Sequence, residues 1–240
     1  MTTAALRVAL IGMGRMGHAL DALAGERNCN VVARLGASDM ALGLTTSMLG
    51  GAQVAIEFTR PPVAVSNAIA CLAVGCPVVL GTTGWTKERA RLEEAVRHHD
   101  CAALSSPNFS IGVQLFLAMA ENAATRMRGI AGFAAHVVET HHAAKLDAPS
   151  GTGIAITERL RAGLGRDVGI SSVRVGSVPG THEVIFDAPF EQIRLVHEAR
   201  DRRVFADGAL AAARWLAIPR PAALYSMRDV LDSSPGALSE

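Results

Sequence analysis

The segment Gly12-Met13-Gly14-Arg15-Met16-Gly17 directly follows the aliphatic run Val8 to Ile11 and opens into the helix-spaced stretch Met16 to Leu23. Glycines at this spacing let the backbone turn sharply and let a helix N-terminus come close to another group. A strand that turns at once into a helix is half of a βαβ unit, which commits its neighbours to parallel pairing. The chain then repeats the alternation. Apolar runs at Val31 to Ala33, Ala52 to Phe58, Pro77 to Leu80 and Ala102 to Leu104 alternate with helix-like segments at Val63 to Val74 and Lys87 to His98. This pattern predicts a doubly wound parallel sheet of Rossmann type, with helices on both faces.

After Asn108 the pattern changes. A long apolar helix is expected over Ile111 to Met127, then strands at Phe133 to Glu139, Ile170 to Val175, His182 to Phe186 and Glu191 to His197. A smaller α+β domain is expected there. An alanine-rich helix from Ala206 to Leu216 is broken by Pro219 and Pro221, and a short tail carries Met227-Arg228-Asp229-Val230-Leu231. The chain has 240 residues, half of them hydrophobic and 19% charged, with a net charge of +1, so neither disorder nor a nucleic-acid partner is expected. Cys29, Cys71, Cys76 and Cys101 lack the paired spacing of a zinc site and fall in or beside apolar runs, as reduced core thiols would. The first apolar run is too short to span a bilayer and has no cleavage pattern, so a cytoplasmic protein without a membrane partner is expected.

Three polar segments fall at expected strand ends: Glu57-Phe58-Thr59-Arg60-Pro61, Gly81-Thr82-Thr83-Gly84 and Ser106-Pro107-Asn108-Phe109-Ser110. In an open parallel sheet these ends line one crevice with the first glycine turn, where a dinucleotide binds. Each of them alone is equally a polar turn. The fingerprint asks for an acid about twenty residues past the glycines to hold the ribose of NAD. Here the region reads Val32-Ala33-Arg34-Leu35-Gly36, with no carboxylate before Asp39. Arg34 and Arg15 could instead meet a 2′-phosphate, so NADPH is expected to serve at least as well as NADH. Arg34 as a solvated strand end is the competing reading.

Glu139 to Gly153 reads Glu-Thr-His-His-Ala-Ala-Lys-Leu-Asp-Ala-Pro-Ser-Gly-Thr-Gly, two imidazoles, an amine and a glycine-rich helix start in fifteen residues. His141 and Lys145 are four apart, so a helical turn would place them on one face, with His142 pointing elsewhere. Ser150, Gly151 and Thr152 precede the periodic run Ile154, Ala155, Ile156 and Leu160, so their amides should form a helix N-terminus able to bind a carboxylate. The stretch is suited to hold an acidic molecule and protonate it. Adjacent histidines also occur at polar strand ends and in metal sites, but the residue at i+4 is a lysine, which repels a metal, and none is expected. Asp147 is read as fixing the loop, and His18, His98, His99 and His136 as surface or satisfied histidines.

Taken together, Gly12 to Gly17, Phe58-Thr59-Arg60-Pro61, Gly81-Thr82-Thr83-Gly84, Asn108-Phe109-Ser110, His141-His142 with Lys145, Asp147-Ala148-Pro149-Ser150-Gly151-Thr152, and Met227 to Leu231 resemble the motifs of the dihydrodipicolinate reductase (4-hydroxy-tetrahydrodipicolinate reductase) family, in order along nearly the whole chain. The resemblance implies a dinucleotide-binding domain made of residues 1–109 with 206–240, and a substrate-binding and oligomerisation domain made of residues 110–205. It implies NAD(P)H-dependent reduction of a small cyclic imine dicarboxylate in the diaminopimelate route to lysine, by a homotetramer. His141 would be the acid or base, Lys145 a proton donor and cationic partner, and His142 with Ser150, Gly151 and Thr152 the substrate carboxylate site. Gly12, Met13, Gly14, Arg15, Met16, Gly17, Arg34, Phe58, Gly81, Thr82, Thr83, Ser106, Pro107, Asn108 and Phe109 would hold NADPH or NADH. The chain departs from the family in its short length, in a reduced connection between Gly36 and Ala52, and in a missing loop between Arg174 and His182. Glu198 also stands where the family usually carries lysine, near the expected substrate, while Arg202 matches a family arginine. A reductase of another small imine or keto acid, or a dinucleotide-binding sensor without turnover, are the alternatives.

Overall fold

The computed structural model describes residues 4–233, so residues 1–3 and 234–240 of the first expected domain lie outside the described residues. The elements are β1 (Leu6–Ile11), α1 (Arg15–Ala24), β2 (Cys29–Leu35), α2 (Ala37–Ala41), β3 (Val54–Glu57), α3 (Pro61–Ala73), β4 (Val78–Leu80), α4 (Arg89–His98), β5 (Ala103–Ser105), α5 (Ile111–Met127), β6 (Ala134–His141), α6 (Gly151–Leu164), β7 (Gly169–Arg174), β8 (Thr181–Ala188), β9 (Glu191–Glu198), α7 (Arg203–Ala217), β10 (Leu224–Tyr225) and α8 (Met227–Asp232). They divide into two compact units, residues 4–110 with 203–233, and residues 111–202.

The first unit is a six-stranded sheet in the order β10-β5-β4-β3-β1-β2, parallel throughout. Every residue of β3 and β4 and the last four of β1 are buried. Strands covered on both faces must be continuously apolar, and these are, apart from Glu57 at the end of β3. Ile11, Ala55 and Leu80 pack with Val65, Leu72, Leu92 and Val96 of α3 and α4. Helices α1 and α7 pack together, and α7 lies on β3, β4 and β5. Strand order reverses between β2 and β3 about β1, which makes a switch point where a ligand crevice opens. Three elements went unread in the sequence, among them α8, whose stretch Met227–Asp232 was read only as a tail. The two residues of β10 are too few to show alternation, and α2 is a five-residue helix closed by the Asp39 carboxylate on the Gly36 amide at 2.7 Å.

In the second unit the sheet order is β7-β6-β8-β9, with β6–β7 parallel and the other two pairs antiparallel. Register assigns the faces. Ile170, Val137, Val184 and Leu195 stand in one row across the four strands, beside Ala135, Phe186 and Ile193. Val137, Val184 and Phe186 are buried with Phe116, Ala120 and Leu117 of α5 and Ile156 and Leu160 of α6. Burying one such large side chain contributes roughly 2 kcal/mol.

The helices α5 and α6 approach so closely that a Cβ at Gly163 would lie 2.6 Å from Ala124 Cβ and 3.0 Å from the Thr125 amide nitrogen. Neither neighbour can rotate away. Gly163→Ala is therefore expected to destabilise the protein by roughly 1–3 kcal/mol despite the better helix propensity of alanine. Denaturant unfolding checks this, and an unchanged or higher midpoint would show that the helices have room to spare.

Candidate active site

The candidate residues fall into two groups, one in each unit. In the first, the C-terminal ends of β1, β3 and β4 border a cleft of about 370 Å³ lined by Gly14, Arg15, Met16, Phe58, Thr59, Pro61, Gly81, Thr82 and Thr83. That volume is within the range of about 300–1,000 Å³ common for ligand sites. Gly12 and Gly17 are needed for shape. Gly12 has φ +93°, and a Cβ there would sit 2.2 Å from the Phe58 carbonyl oxygen; one at Gly17 would lie 2.1 Å from the Gly12 carbonyl oxygen. Gly14 has open space where its Cβ would be, so ligand atoms can reach the backbone at the start of α1. Gly81 leaves room for the Phe58 ring, which meets Phe109 edge to face at 6.0 Å.

The loops of this cleft are tied from below. The Thr59 amide donates to Thr82 Oγ1 at 2.8 Å, and the Trp85 indole donates to the Thr82 carbonyl at 2.7 Å. Thr59 Oγ1 donates to the fully buried Glu57 carboxylate, which Asn67 also approaches at 3.4 Å. Burial pushes the Glu57 pKa up, and the Thr59, Thr82 and Asn67 hydrogen bonds offset only part of that. Ser106, Pro107, Asn108 and Phe109 form the turn after β5, where Ser106 Oγ donates to the Asn108 carbonyl at 2.7 Å. Met13 is in the glycine turn. Arg34 is engaged by Asp21, at 2.9 Å from Nε and 2.5 Å from Nη2, so its charge is already matched.

In the second unit, β6 extends to His141, and the chain then turns, with the Lys145 amide donating to the His142 carbonyl at 3.1 Å. His141 and Lys145 are therefore not on one face of a helix, as their spacing had suggested. The period-2 strand continues because Val137, Glu139 and His141 all face inward. Beside the apolar row of the sheet, register places a polar row of Ser172, Glu139, His182 and His197, and Arg174 opposite His141. Sequence reading missed Glu139, Arg174, His182 and His197. Their signal was parity: His182 is in phase with the apolar Val184 and Phe186.

Glu139 is fully buried and sits at the centre. Its Oε1 accepts from Arg174 Nη2 at 2.7 Å and from the Ser150 amide at 3.3 Å, while Oε2 lies against His141 Nδ1. Burial works to raise its pKa, but Arg174, Ser172, His141 and Ser150 together outweigh this and hold it at about 2. Burial lowers His141, and the Glu139 charge counters that only in part, with Lys145 and Arg174 adding to the lowering. His182 is lowered to about 4, first by burial and then by its neighbours, His141 foremost. Its ring meets His141 edge to face at 5.1 Å, and its Nε2 is 3.4 Å from Ser150 Oγ.

Lys145 Nζ pairs with the Asp147 carboxylate at 2.8 Å, so Asp147 orients an amine as well as shaping the loop. The Asp147 carbonyl in turn accepts from Arg174 Nη2 at 2.5 Å. Ser150 caps α6 by accepting from the Gly153 amide at 3.1 Å, and Gly151 and Thr152 open the helix at its positive dipole end. His142 Nε2 accepts from Arg202 Nη2 at 3.0 Å. Glu198 pairs with Thr181, which is out of phase with His182, and so lies on the opposite sheet face from the polar row; the expected influence near the substrate does not follow.

Glu139, His141 and His182 offer three ligand-type atoms within 4.8 Å, a set that the sequence argument against a metal did not consider. Its carboxylate charge is already matched by Arg174 on one oxygen, while His141 lies against the other. A guanidinium beside the carboxylate also repels a divalent cation. The four cysteines are free and buried. Among the described residues no helix is long and apolar enough to cross a membrane.

The family model described as dihydrodipicolinate reductase, N-terminus, matches residues 6–109, and that described as dihydrodipicolinate reductase, C-terminus, matches residues 112–231. The 4-hydroxy-tetrahydrodipicolinate reductase of Thiobacillus denitrificans is 35% identical, over 94% of this chain and 98% of its own. That of Christiangramia forsetii is 31% identical with the same coverage, in an alignment of 238 residues, so a chain of this length has a counterpart among such reductases. A dipicolinate-bound dihydrodipicolinate reductase from Paenisporosarcina sp. TG-14 superposes with a TM-score of 0.76 at 21% identity, covering 92% of this chain and 97% of that one. A probable dehydrogenase from Thermotoga maritima shares the fold at a TM-score of 0.56 and 11% identity, with 85% of each chain covered.

The buried neutral imidazole of His182 has a consequence for stability. Its folded pKa of about 4 is below its unfolded value near 6.5, so the unfolded state binds more protons between them. Its contribution is present above about pH 6.5 and is lost as the pH falls towards 4, to a total on the order of 3 kcal/mol. His182→Gln should flatten the fall in melting temperature across this window. An equally steep fall in the variant would place the titration elsewhere.

Proposed function

The chain belongs to the dihydrodipicolinate reductase family, and from that premise we propose that it catalyses NAD(P)H-dependent reduction of 4-hydroxy-tetrahydrodipicolinate to tetrahydrodipicolinate, the 4-hydroxyl leaving as water, in the diaminopimelate route to lysine. The observation that carries this reading is the cluster at the end of β6: an imidazole, an ammonium and a helix N-terminus on consecutive segments, all anchored through Arg174 and Glu139. Such a set binds a carboxylate and gives up a proton, the two tasks that reduction of an imine diacid demands.

Bound nicotinamide supplies the hydride. The cleft bordered by Gly14, Arg15, Met16, Phe58 and Gly81 to Thr83 would receive the dinucleotide, and the family resemblance adds Met13 and the turn of Ser106 to Phe109 as further contacts to it. Arg15 is the cation in that lining, and Arg34 is paired with Asp21, so the reading that NADPH serves at least as well as NADH rests more on Arg15 than on Arg34. Lys145, steered by Asp147, donates the balancing proton. His142 with Arg202 forms one cationic carboxylate contact, and the amide end of α6 at Ser150, Gly151 and Thr152 forms a second. His141 completes the site at the strand end. The outer sheet face, where Val173 and Val196 are 42% and 58% exposed, offers an apolar surface for assembly into a homo-oligomer, a homotetramer by the family resemblance.

The test is nicotinamide oxidation by the purified protein, with the unstable substrate generated in place from pyruvate and aspartate semialdehyde by its synthase. Oxidation with NADPH at least matching NADH is expected. Lys145→Ala should lower kcat roughly 100-fold or more while leaving cofactor affinity nearly unchanged. Cofactor binding without oxidation would overturn the reductase reading, a strong NADH preference would overturn the cofactor reading, and equal loss of turnover and affinity would make Lys145 structural.

A further inference from the structure

Each ring nitrogen of His141 has a different surrounding. Nδ1 lies against Oε2 of Glu139, a fully buried carboxylate whose other oxygen is taken by Arg174 and by the Ser150 amide. Nε2 lies beside Gly180, where a Cβ would come within 3.1 Å of it, in a backbone conformation of φ +152° that L residues rarely adopt. An ionised carboxylate oxygen can only accept, so a neutral imidazole whose Nδ1 abuts it is favoured with its proton on that nitrogen. The nitrogen left over then carries the lone pair.

We propose that Glu139, clamped by Arg174, is the positioning residue for His141: it fixes the tautomer with the proton on Nδ1, leaves Nε2 as an acceptor beside Gly180, and so makes Lys145 the donor of the pair. The same guanidinium sets the second arm of the site, because Arg174 Nη2 also donates to the Asp147 carbonyl while the Asp147 carboxylate holds Lys145. One arginine at the end of β7 thus registers acceptor and donor against each other. Neither Glu139 nor Arg174 need touch the substrate. The neighbouring imidazole of His182 adds no charge in its neutral form, and its edge-to-face contact limits how the His141 ring can tilt.

The inference rests on reading His141 and Lys145 as the working pair, and its test is chosen to be independent of turnover. Nitrogen-15 spectra of the imidazoles distinguish a protonated from a lone-pair nitrogen directly. In the protein without ligands at neutral pH, His141 should show a protonated Nδ1 and an unprotonated Nε2. In Glu139→Gln, Arg174 should keep the side-chain carbonyl, which turns the amide NH₂ toward Nδ1 and reverses the tautomer. The expected kinetic effect is a kcat loss of roughly 10- to 100-fold with KM changed far less, since an orienting group and not a binding contact has been lost. A wild-type His141 protonated on Nε2, or a Glu139→Gln protein that keeps both the original tautomer and full kcat, overturns the proposal; the wild-type spectrum needs no variant to fold. The Nδ1–H tautomer in a protein inert toward the imine diacid would uphold this positioning role and overturn the reductase reading instead.

Discussion

The cluster at the end of β6 depends on one buried charge. Glu139 has no exposed surface, and a carboxylate taken out of water at that cost persists only where hydrogen bonds and a cation replace the solvent. Arg174, the Ser150 amide and His141 supply those contacts, and each belongs to a different segment: the end of β7, the cap of α6 and the end of β6. Removing one partner of a buried pair costs about 3–5 kcal/mol, far more than the pair returns against an apolar replacement. Such a group is retained for the geometry it enforces. Here it fixes the strand end, the helix cap and the lysine loop about one point.

The first unit uses a comparable buried carboxyl whose pKa is shifted the opposite way. Glu57 ends the central strand β3 with no paired cation among the described residues; Thr59, Thr82 and Asn67 contact it instead, and burial raises its pKa where that of Glu139 is lowered. Its upward shift lessens the cost of burying it, and it joins the loops after β3 and β4 through Thr59 and Thr82. The glycines at positions 12, 17 and 81 then let backbone and aromatic ring approach closely enough to shape the cleft. The order β2-β1-β3 places that cleft at the switch point, so topology and local glycine chemistry agree on one location.

Much of this was legible in the sequence. The glycine turn after an aliphatic run, the alternating apolar segments and the change of pattern after Asn108 all correspond to the parallel sheet and the separate α+β unit. The helix α5 matches its expected limits because Ile111 to Met127 is long and its apolar residues recur helically. Spacing failed at His141 and Lys145, since four residues apart implies proximity in a helix and the chain there is a strand end and a turn. Arg174, His182 and His197 were invisible as site residues because strand pairing, not sequence distance, brings them to Glu139. A polar residue in phase with the apolar face of a strand was the signal available. Arg34 was undecidable for a related reason: its partner Asp21 lies on α1, thirteen positions away.

The most direct measurement of the central claim is the carboxyl carbon-13 titration of Glu139 in labelled protein. The account predicts a carboxylate that stays ionised as the pH falls past the ordinary glutamate value of about 4.3, with protonation delayed towards about 2 and tied to loss of the fold. A Glu139 carboxyl that titrates at or above the ordinary value while the protein remains folded would contradict it, because the charge that holds His141, Arg174 and the cap of α6 together would then be absent.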